Sequence, residues 1–200
     1  MKQPLGVILA GGQATRMGGG DKGLRLLGGQ SLLARVEARL SPQVAGVALN
    51  ANGDPARFAK LGLPVVADSI AGFAGPLAGV LAGLDWAAAQ GADTIVTAAA
   101  DTPFFPCDLV PQLLLASEGM THPLVLAATP DPARGHARHP TFGLWPVALR
   151  DDLRHALEGG LRKVVLWTQS HGGREALFAD ENAFFNVNTP DDLARAESML

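Results

Sequence analysis

The apolar run Val7-Ile8-Leu9-Ala10 breaks into Gly11-Gly12. The chain then presents Arg16, three glycines at Gly18-Gly19-Gly20, and the pair Asp21-Lys22. Glycines at the end of a strand let a ligand approach the backbone, because no Cβ stands in the way. Successive N–H groups in such a turn form a concavity suited to phosphate oxygens. Arg16 and Lys22 add fixed positive charge, forked in the first and point-like in the second. The chemistry that suits this pattern is polyphosphate binding. The loop is not G-x-G-x-x-G, because the spacing from Gly11 and Gly12 does not fit. Nor is it G-x-x-x-x-G-K-[ST], because Lys22 stands between Asp21 and Gly23.

Other polar residues stand at the ends of apolar segments. Asp101 follows Thr94 to Ala99 and precedes Thr102-Pro103. A magnesium ion takes one or two carboxylates together with phosphate oxygens and water, so Asp101 suits the metal that accompanies a polyphosphate. Its plainer reading is an Asx-turn or a helix cap. Asp68 ends Val66-Ala67, where its carboxylate could accept from a guanine edge or a ribose hydroxyl, or again form a cap. Asn50, after Leu49, could read a base edge or shape a turn. In Asn186-Val187-Asn188-Thr189-Pro190, Asn188 is either a second oxygen ligand for the metal or part of a strand-to-helix turn. The stretch from Arg134 to His139 is basic, and reads either as a solvated loop or as a flap over an anionic second substrate, with Arg162-Lys163 serving the same end. His136 and His139 are too few for a zinc site. No G-x-S-x-G elbow is present.

The elements that must position these residues alternate between apolar runs and helical periodicity. Strands are expected at Val7–Ala10, Val44–Leu49, Pro64–Ala67, Thr94–Ala99, Leu124–Ala128, Thr141–Trp145 and Ala183–Val187. Helices are expected from Ser31 to Leu40, Pro55 to Lys60, Pro76 to Gly91, Pro106 to Ala116 and Val147 to Leu157, and from Thr189 towards Leu200. Pro130 to Pro140 reads as irregular. Alternation of this kind predicts an α/β fold: Rossmann-like, three layers αβα, with a mostly parallel central sheet. Ligands of such sheets bind beyond the carboxyl ends of the strands. There the glycine loop, Asn50, Asp68 and Asp101 would gather along one edge.

Two hundred residues with 48% hydrophobic and 18% charged content predict a single globular domain over 1–200. A net charge of −3 gives no basic footprint for nucleic acid. No apolar run reaches the roughly 20 residues that a membrane span needs. The one cysteine, Cys107, excludes an intramolecular disulfide and makes the cytoplasm the expected compartment.

Leu9-Ala10-Gly11-Gly12-x-x-x-Arg16-Met17-Gly18, with Lys22 beyond it, resembles the opening of the nucleotidyltransferases that activate sugars and cofactors. Further motifs narrow the resemblance: Asp21-Lys22-Gly23, Asn50-Ala51-Asn52, Asp68-Ser69, Gly75-Pro76-Leu77-Ala78-Gly79, Asp101-Thr102-Pro103, His139-Pro140-Thr141 and Asn186-Val187-Asn188-Thr189-Pro190. In this order they resemble the molybdenum cofactor guanylyltransferases, the MobA family, over nearly the whole chain. The resemblance implies a nucleotidyltransferase-type fold and transfer of GMP from GTP to molybdenum-bearing molybdopterin, with release of pyrophosphate. It implies GTP contacts from Leu9, Ala10, Gly11, Gly12, Lys22, Asn50, Asp68 and Asp101, and Mg²⁺ on Asp101, to which Asn188 is the candidate second oxygen ligand from the residue reading above. Arg16, Lys22 and Asp101 would carry catalysis. Residues to about 105 would bind GTP, and those from about 106, with Asn186 and Asn188, would bind molybdopterin. The implied partners extend to a GTP-binding accessory protein and to molybdoenzymes or their chaperones. Gly11 resembles the guanine-using branch, whereas the related cytidylyltransferases tend to carry alanine there. A molybdopterin cytidylyltransferase, a sugar-phosphate nucleotidyltransferase and a non-catalytic GTP-binding module remain the alternatives.

Overall fold

The computed structural model describes residues 2–11, 21–70, 72, 75–180 and 182–200. Gly12, Arg16 and the triple glycine therefore lie outside the described residues. Alternation of side chains sets the layers. β1 (Leu5–Leu9) sends Ile8 to one face, where it meets Leu33, Val36 and Leu40 of α1 (Leu32–Leu40) and Leu109, Val110 and Leu113 of α3 (Leu109–Ala116). Val7 and Leu9 point to the other face. There they pack with α2 (Pro76–Ala89), α4 (Arg150–Glu158) and α5 (Val164–Ser170). Helices on both faces of one sheet give the expected three-layer arrangement.

The remaining strands of that sheet are β4 (Val47–Asn50), β5 (Val65–Val66), β6 (Thr94–Ala99), β7 (Val125–Asp131), β8 (Gly135–Pro146) and β9 (Arg174–Leu177). Among the described residues seven strands pair in the order β5-β4-β1-β6-β8-β7-β9. β5, β4, β1 and β6 run parallel, and so do β7 and β9; β8 alone is antiparallel to both of its neighbours. A small hairpin of β2 (Leu26–Leu27) and β3 (Gln30–Ser31) leads into α1, whose first turn is capped by the Ser31 hydroxyl on Ala34 N at 3.1 Å. α6 (Pro190–Glu197) opens on a capping box in which Thr189 and Asp192 satisfy each other's backbone donors.

Three expectations are corrected. The stretch 130–140 is not irregular: β7 continues to Asp131 and β8 starts at Gly135, forming a long hairpin. The register slips between Leu126 and Ala127, so that Leu126 opposes Gly143 and Ala127 opposes His139. Pro140 sits in the extra length of β8 at that slip, where no ladder N–H is required of it. Second, 183–187 forms no strand; Ala183, Phe184 and Val187 are buried as a loop. Third, α5 and β9 were not anticipated. Trp167 of α5 stacks on Trp145 with centroids 6.3 Å apart, and its indole donates to Asp152 at 2.8 Å, where His171 also binds at 2.7 Å. No helix among the described residues is long and apolar enough to cross a membrane.

Small residues let α2 approach the sheet closely. A Cβ on Gly83 would stand 2.8 Å from Val7 Cγ2 and 3.0 Å from Ile95 Cδ1. Near this packing the core holds a polar pair: the fully buried Trp145 donates from Nε1 to Thr97 Oγ1 at 2.8 Å. Thr97→Val leaves that indole N–H without a partner, and is expected to lower the unfolding free energy by about 1–3 kcal/mol. Urea unfolding followed by tryptophan fluorescence measures it, and an unchanged midpoint would show that the pair contributes nothing.

Candidate active site

The sheet register builds the site. Leu9 of β1 lies opposite Asn50 of β4 on one side and Ala99 of β6 on the other. The ladder continues past the strand ends, with Ala10 N donating to Asn50 O at 2.9 Å and Ala100 N to Leu9 O at 3.0 Å. The entrance to the glycine loop therefore lies between Asn50 and Asp101, as the sheet rule requires.

On the β4 side, Asn50 is 2% exposed, and both its amide protons are committed: Nδ2 donates to Val66 O at 3.2 Å and to Asp68 Oδ1 at 2.9 Å. Its Oδ1 is turned towards the backbones of Gly11 and Gly79. Asn52 holds the other carboxylate oxygen of Asp68 through Nδ2 at 2.8 Å, and its own Oδ1 accepts Asp68 N at 2.9 Å. Asp68 is thus clamped from three sides. A carboxylate has about four lone-pair directions, so two donors leave acceptor capacity on its half-exposed side.

On the β6 side, a short 3₁₀ helix, Lys22–Leu24, packs closely because its second residue is Gly23. A Cβ there would lie 3.3 Å from Leu33 Cβ and 3.5 Å from Ala100 Cβ. This seat brings Lys22 within electrostatic range of Asp101. Lys22 Nζ donates to Asn188 Oδ1 at 2.9 Å. The 186–188 loop is fastened over the end of β6 by Val187 N to Asp101 O at 2.8 Å. The Thr102 hydroxyl binds Asn186 Oδ1, with Asp101 Oδ1 3.3 Å from the same oxygen. A hydroxyl carries one proton, so Thr102 serves one of these acceptors at a time.

Burial pushes the Asp101 carboxyl above its usual range, while the Lys22 charge and the Thr102 hydroxyl pull it back. A desolvated carboxylate beside one lysine is short of positive charge, the condition in which a divalent cation is welcome. No group of three or more His, Cys, Asp or Glu assembles among the described residues, so any cation at Asp101 would take its remaining ligands from a bound anion and water. The oxygen of Asn188 is engaged by Lys22 in this arrangement, so it would join a metal only if Lys22 turned away.

The structure therefore brings together Leu9, Ala10, Gly11, Lys22, Asn50, Asp68, Asp101, Asn186 and Asn188. Two residues without an individual role in the sequence reading emerge. Asn52 clamps Asp68, and Gly79 gives Asn50 its space, because a Cβ on Gly79 would collide with Asn50 Oδ1. Both stand inside recognised motifs, which was the available signal. Three of the basic side chains in these stretches are engaged within the protein. Arg138 and His136 both bind Glu175 of β9, and Arg162 donates to the carbonyls of Leu157 and Leu161. His139 stacks on Phe184 at 4.2 Å and bonds Thr129 at 3.0 Å; burial lowers its pKa to about 4, so it is neutral at pH 7.

Residues 6–172 match the MobA-like NTP transferase domain. The chain belongs to that family. The molybdenum cofactor guanylyltransferase of Cereibacter sphaeroides is 54% identical over 195 residues, covering 98% of this chain and 96% of that protein. The protein of the same name from Mesorhizobium japonicum is 50% identical over 202 residues, covering 98% and 95%. Among solved structures, molybdopterin-guanine dinucleotide biosynthesis protein A of Archaeoglobus fulgidus superposes with a TM-score of 0.73 at 24% identity, covering 98% of this chain and 97% of that one. The 2-C-methyl-D-erythritol 4-phosphate cytidylyltransferase of Thermus thermophilus gives 0.70 at 22%, covering 100% and 98%. At such identities these two share the fold.

The Asp101 assignment has a test that needs no substrate. In the folded protein Asp101 keeps its proton to higher pH than the unfolded chain, whose value is near 3.8. Folding therefore favours the protonated form, and the charged form costs stability as pH rises through and above that window. Asp101→Asn is expected to raise the melting temperature at pH 7 in the presence of a chelator. The gain should disappear below about pH 3.8, where both states of the wild type are protonated. A variant less stable than wild type at pH 7 would refute this.

Proposed function

We propose that this protein transfers GMP from GTP to molybdenum-bearing molybdopterin, forming the guanine dinucleotide cofactor and pyrophosphate. One observation carries the reading: an acceptor array for a base, Asn50–Asp68–Asn52, and a buried carboxylate with a lysine, Asp101 and Lys22, stand on either side of the end of β1. The named relatives at about half identity over nearly the full chain support it.

In this reading Asp68 accepts from the neighbouring N–H donors of the guanine edge, and Asn50 and Asn52 hold it in place. The backbone of Leu9, Ala10 and Gly11 lies against the nucleotide, with Gly12 as a further contact of the same motif. Lys22, with Arg16, neutralises the β- and γ-phosphates. A terminal phosphate oxygen of molybdopterin attacks the α-phosphorus of GTP, the bond from that phosphorus to the bridging oxygen breaks, and pyrophosphate leaves. The attacking oxygen is already anionic, so the site needs no strong general base. Catalysis then rests on alignment and charge. Mg²⁺ held by Asp101 would supply charge neutralisation at the phosphate oxygens. The nucleotide occupies the part of the chain up to about residue 105, and the acceptor faces the remainder, with Asn186 and Asn188 at the boundary.

A cytidylyltransferase is the competing reading. Gly11 bears on it less through crowding than its position suggests. An alanine Cβ there would stand 3.6 Å from Asn50 Oδ1, an ordinary contact that leaves Asn50 in place. The clamped Asp68 favours guanine, which offers a carboxylate two adjacent donors where cytosine offers one amino group.

Pyrophosphate release should require GTP, magnesium and molybdopterin together, with CTP giving little. Asp101→Ala is expected to cut turnover by on the order of 10²–10³-fold while the far-UV circular dichroism is unchanged. Preference for CTP would remove guanine from the proposal, and near-normal turnover of Asp101→Ala would remove Asp101 from the chemistry.

A further inference from the structure

We infer that Arg57 is a positioning residue: a clasp that ties the phosphate end of the site to its base end. The inference rests on the nucleotide-binding reading above, but on different residues. Arg57 stands on the 3₁₀ helix Pro55–Leu61, outside every motif that carried the sequence reading. Its Nε pairs with Asp21 Oδ2 at 2.6 Å, directly before Lys22. The same guanidinium donates through one terminal nitrogen to Asn52 O, and through the other to Asp54 O at 3.0 Å. Asn52 is the residue that clamps Asp68. One planar fork therefore spans from the residue beside Lys22 to the residue beside Asp68.

The surroundings are built for this geometry. Asp54 caps the 3₁₀ helix by accepting Ala56 N at 2.9 Å, which orients Arg57. The guanidinium lies 4.6 Å from the ring centroid of Phe58, itself buried at 2% exposure, so the plane of the fork rests on a fixed surface. Gly53, at φ 85°, turns the chain beneath it. A Cβ at Gly53 would stand 2.8 Å from Arg57 Nη1, so a side chain at this left-handed turn would push the guanidinium out of its place. The Arg57 and Asp21 side chains are 31% and 27% exposed, and an ion pair so placed adds little to global stability. Its effect is on distance: Lys22 and Asp68 belong to separate segments, and Arg57 joins them through their neighbours Asp21 and Asn52.

Such a clasp acts on nucleotide affinity more than on the chemical step, because it touches no reacting atom. Lysine keeps the charge but cannot reach both Asp21 and the Asn52 carbonyl as a fork. The measurement is Kd for GTP and CTP by calorimetry in magnesium, with kcat and KM for the nucleotide and for molybdopterin, on wild type, Arg57→Gln, Arg57→Lys, Asp21→Asn and the double variant. Arg57→Gln is expected to raise Kd and KM for GTP about tenfold, less than the ~100-fold that a 1 Å misplacement of reacting groups can cost. The kcat, the KM for molybdopterin and the melting temperature should stay near wild type. Arg57→Lys should fall between, and the double variant with Asp21→Asn should be no worse than Arg57→Gln alone. GTP affinity of Arg57→Gln equal to wild type overturns the clasp, as does an equal loss in kcat, KM and melting temperature, which marks a structural role only. Wild type that prefers CTP overturns the guanine reading instead, and the clasp is then read from CTP affinity across the same variants. Wild type that binds neither nucleotide overturns both.

Discussion

The position of β1 between β4 and β6 is the constraint on which the site depends. Leu9 is in register with Asn50 on one flank and Ala99 on the other, and all three strands run the same way. Neighbouring strands lie about 4.8 Å apart, so the residues ending β4 and β6 face each other across roughly 10 Å with the start of the glycine loop between them. That is the span of a nucleotide's phosphates and sugar. A slip of one residue in β1 would exchange Ile8 with Val7 and Leu9 across the two faces, disrupting the packing of both cores and moving the start of the glycine loop out of register with Asn50 and Asp101. The hydrophobic pattern that folds the sheet thus also sets the geometry of the site.

Charge is distributed unevenly around this frame. Asp68 has two amide donors and an N–H partner network, whereas Asp101 has a hydroxyl shared with Asn186 and one nearby lysine. The first carboxylate is fixed and still able to accept; the second is underpaired and raised in pKa by burial. Removing a carboxylate from water is costly unless a cation compensates. Among the described residues the folded chain bears that cost at Asp101, at the end of the central strand, where a polyphosphate and its metal would relieve it. The Lys22–Asn188 bond is the complementary arrangement, since it holds a cation beside that carboxylate without burying it in a full ion pair.

Much of this was legible in the sequence where local signals agreed with the tertiary result. Ser31 and Thr189 marked their helices because a hydroxyl before an apolar stripe satisfies orphan N–H groups. Thr94–Ala99 was legible because a strand buried on both faces is apolar throughout. The outer half of the hairpin 125–146 was not, since it carries Pro130, Gly135 and Pro140 among histidines and arginines, whereas its inner strands were. Its pairing comes from the ladder and from Glu175 on a strand distant in sequence. Ala183–Val187 failed in the opposite sense: its apolar residues are buried, but Val187 N goes to Asp101 O rather than to a strand. Arg57 carried no signal at all. Its role depends on Asp21 and Asn52 meeting in space, which neither spacing nor periodicity reports.

The two halves of the sheet also differ in what they can offer an anion. Around β1, Lys22 has a neutral amide as its hydrogen-bond partner, so its charge is available to phosphate. Around β8 part of the charge is already paired: Glu175 binds Arg138 and His136, and it is held ionised by them against the opposing effect of burial. His139, stacked on Phe184 and bonded to Thr129, is neutral above about pH 4 and contributes a ring edge rather than a charge. An anionic group arriving at Arg138 would compete with Glu175 for its guanidinium. A lysine bonded to a neutral amide on one side and the Glu175 ion pairs on the other suit a site that would hold a nucleotide by charge at the end of β1. The second substrate would then be recognised mainly by shape and hydrogen bonding.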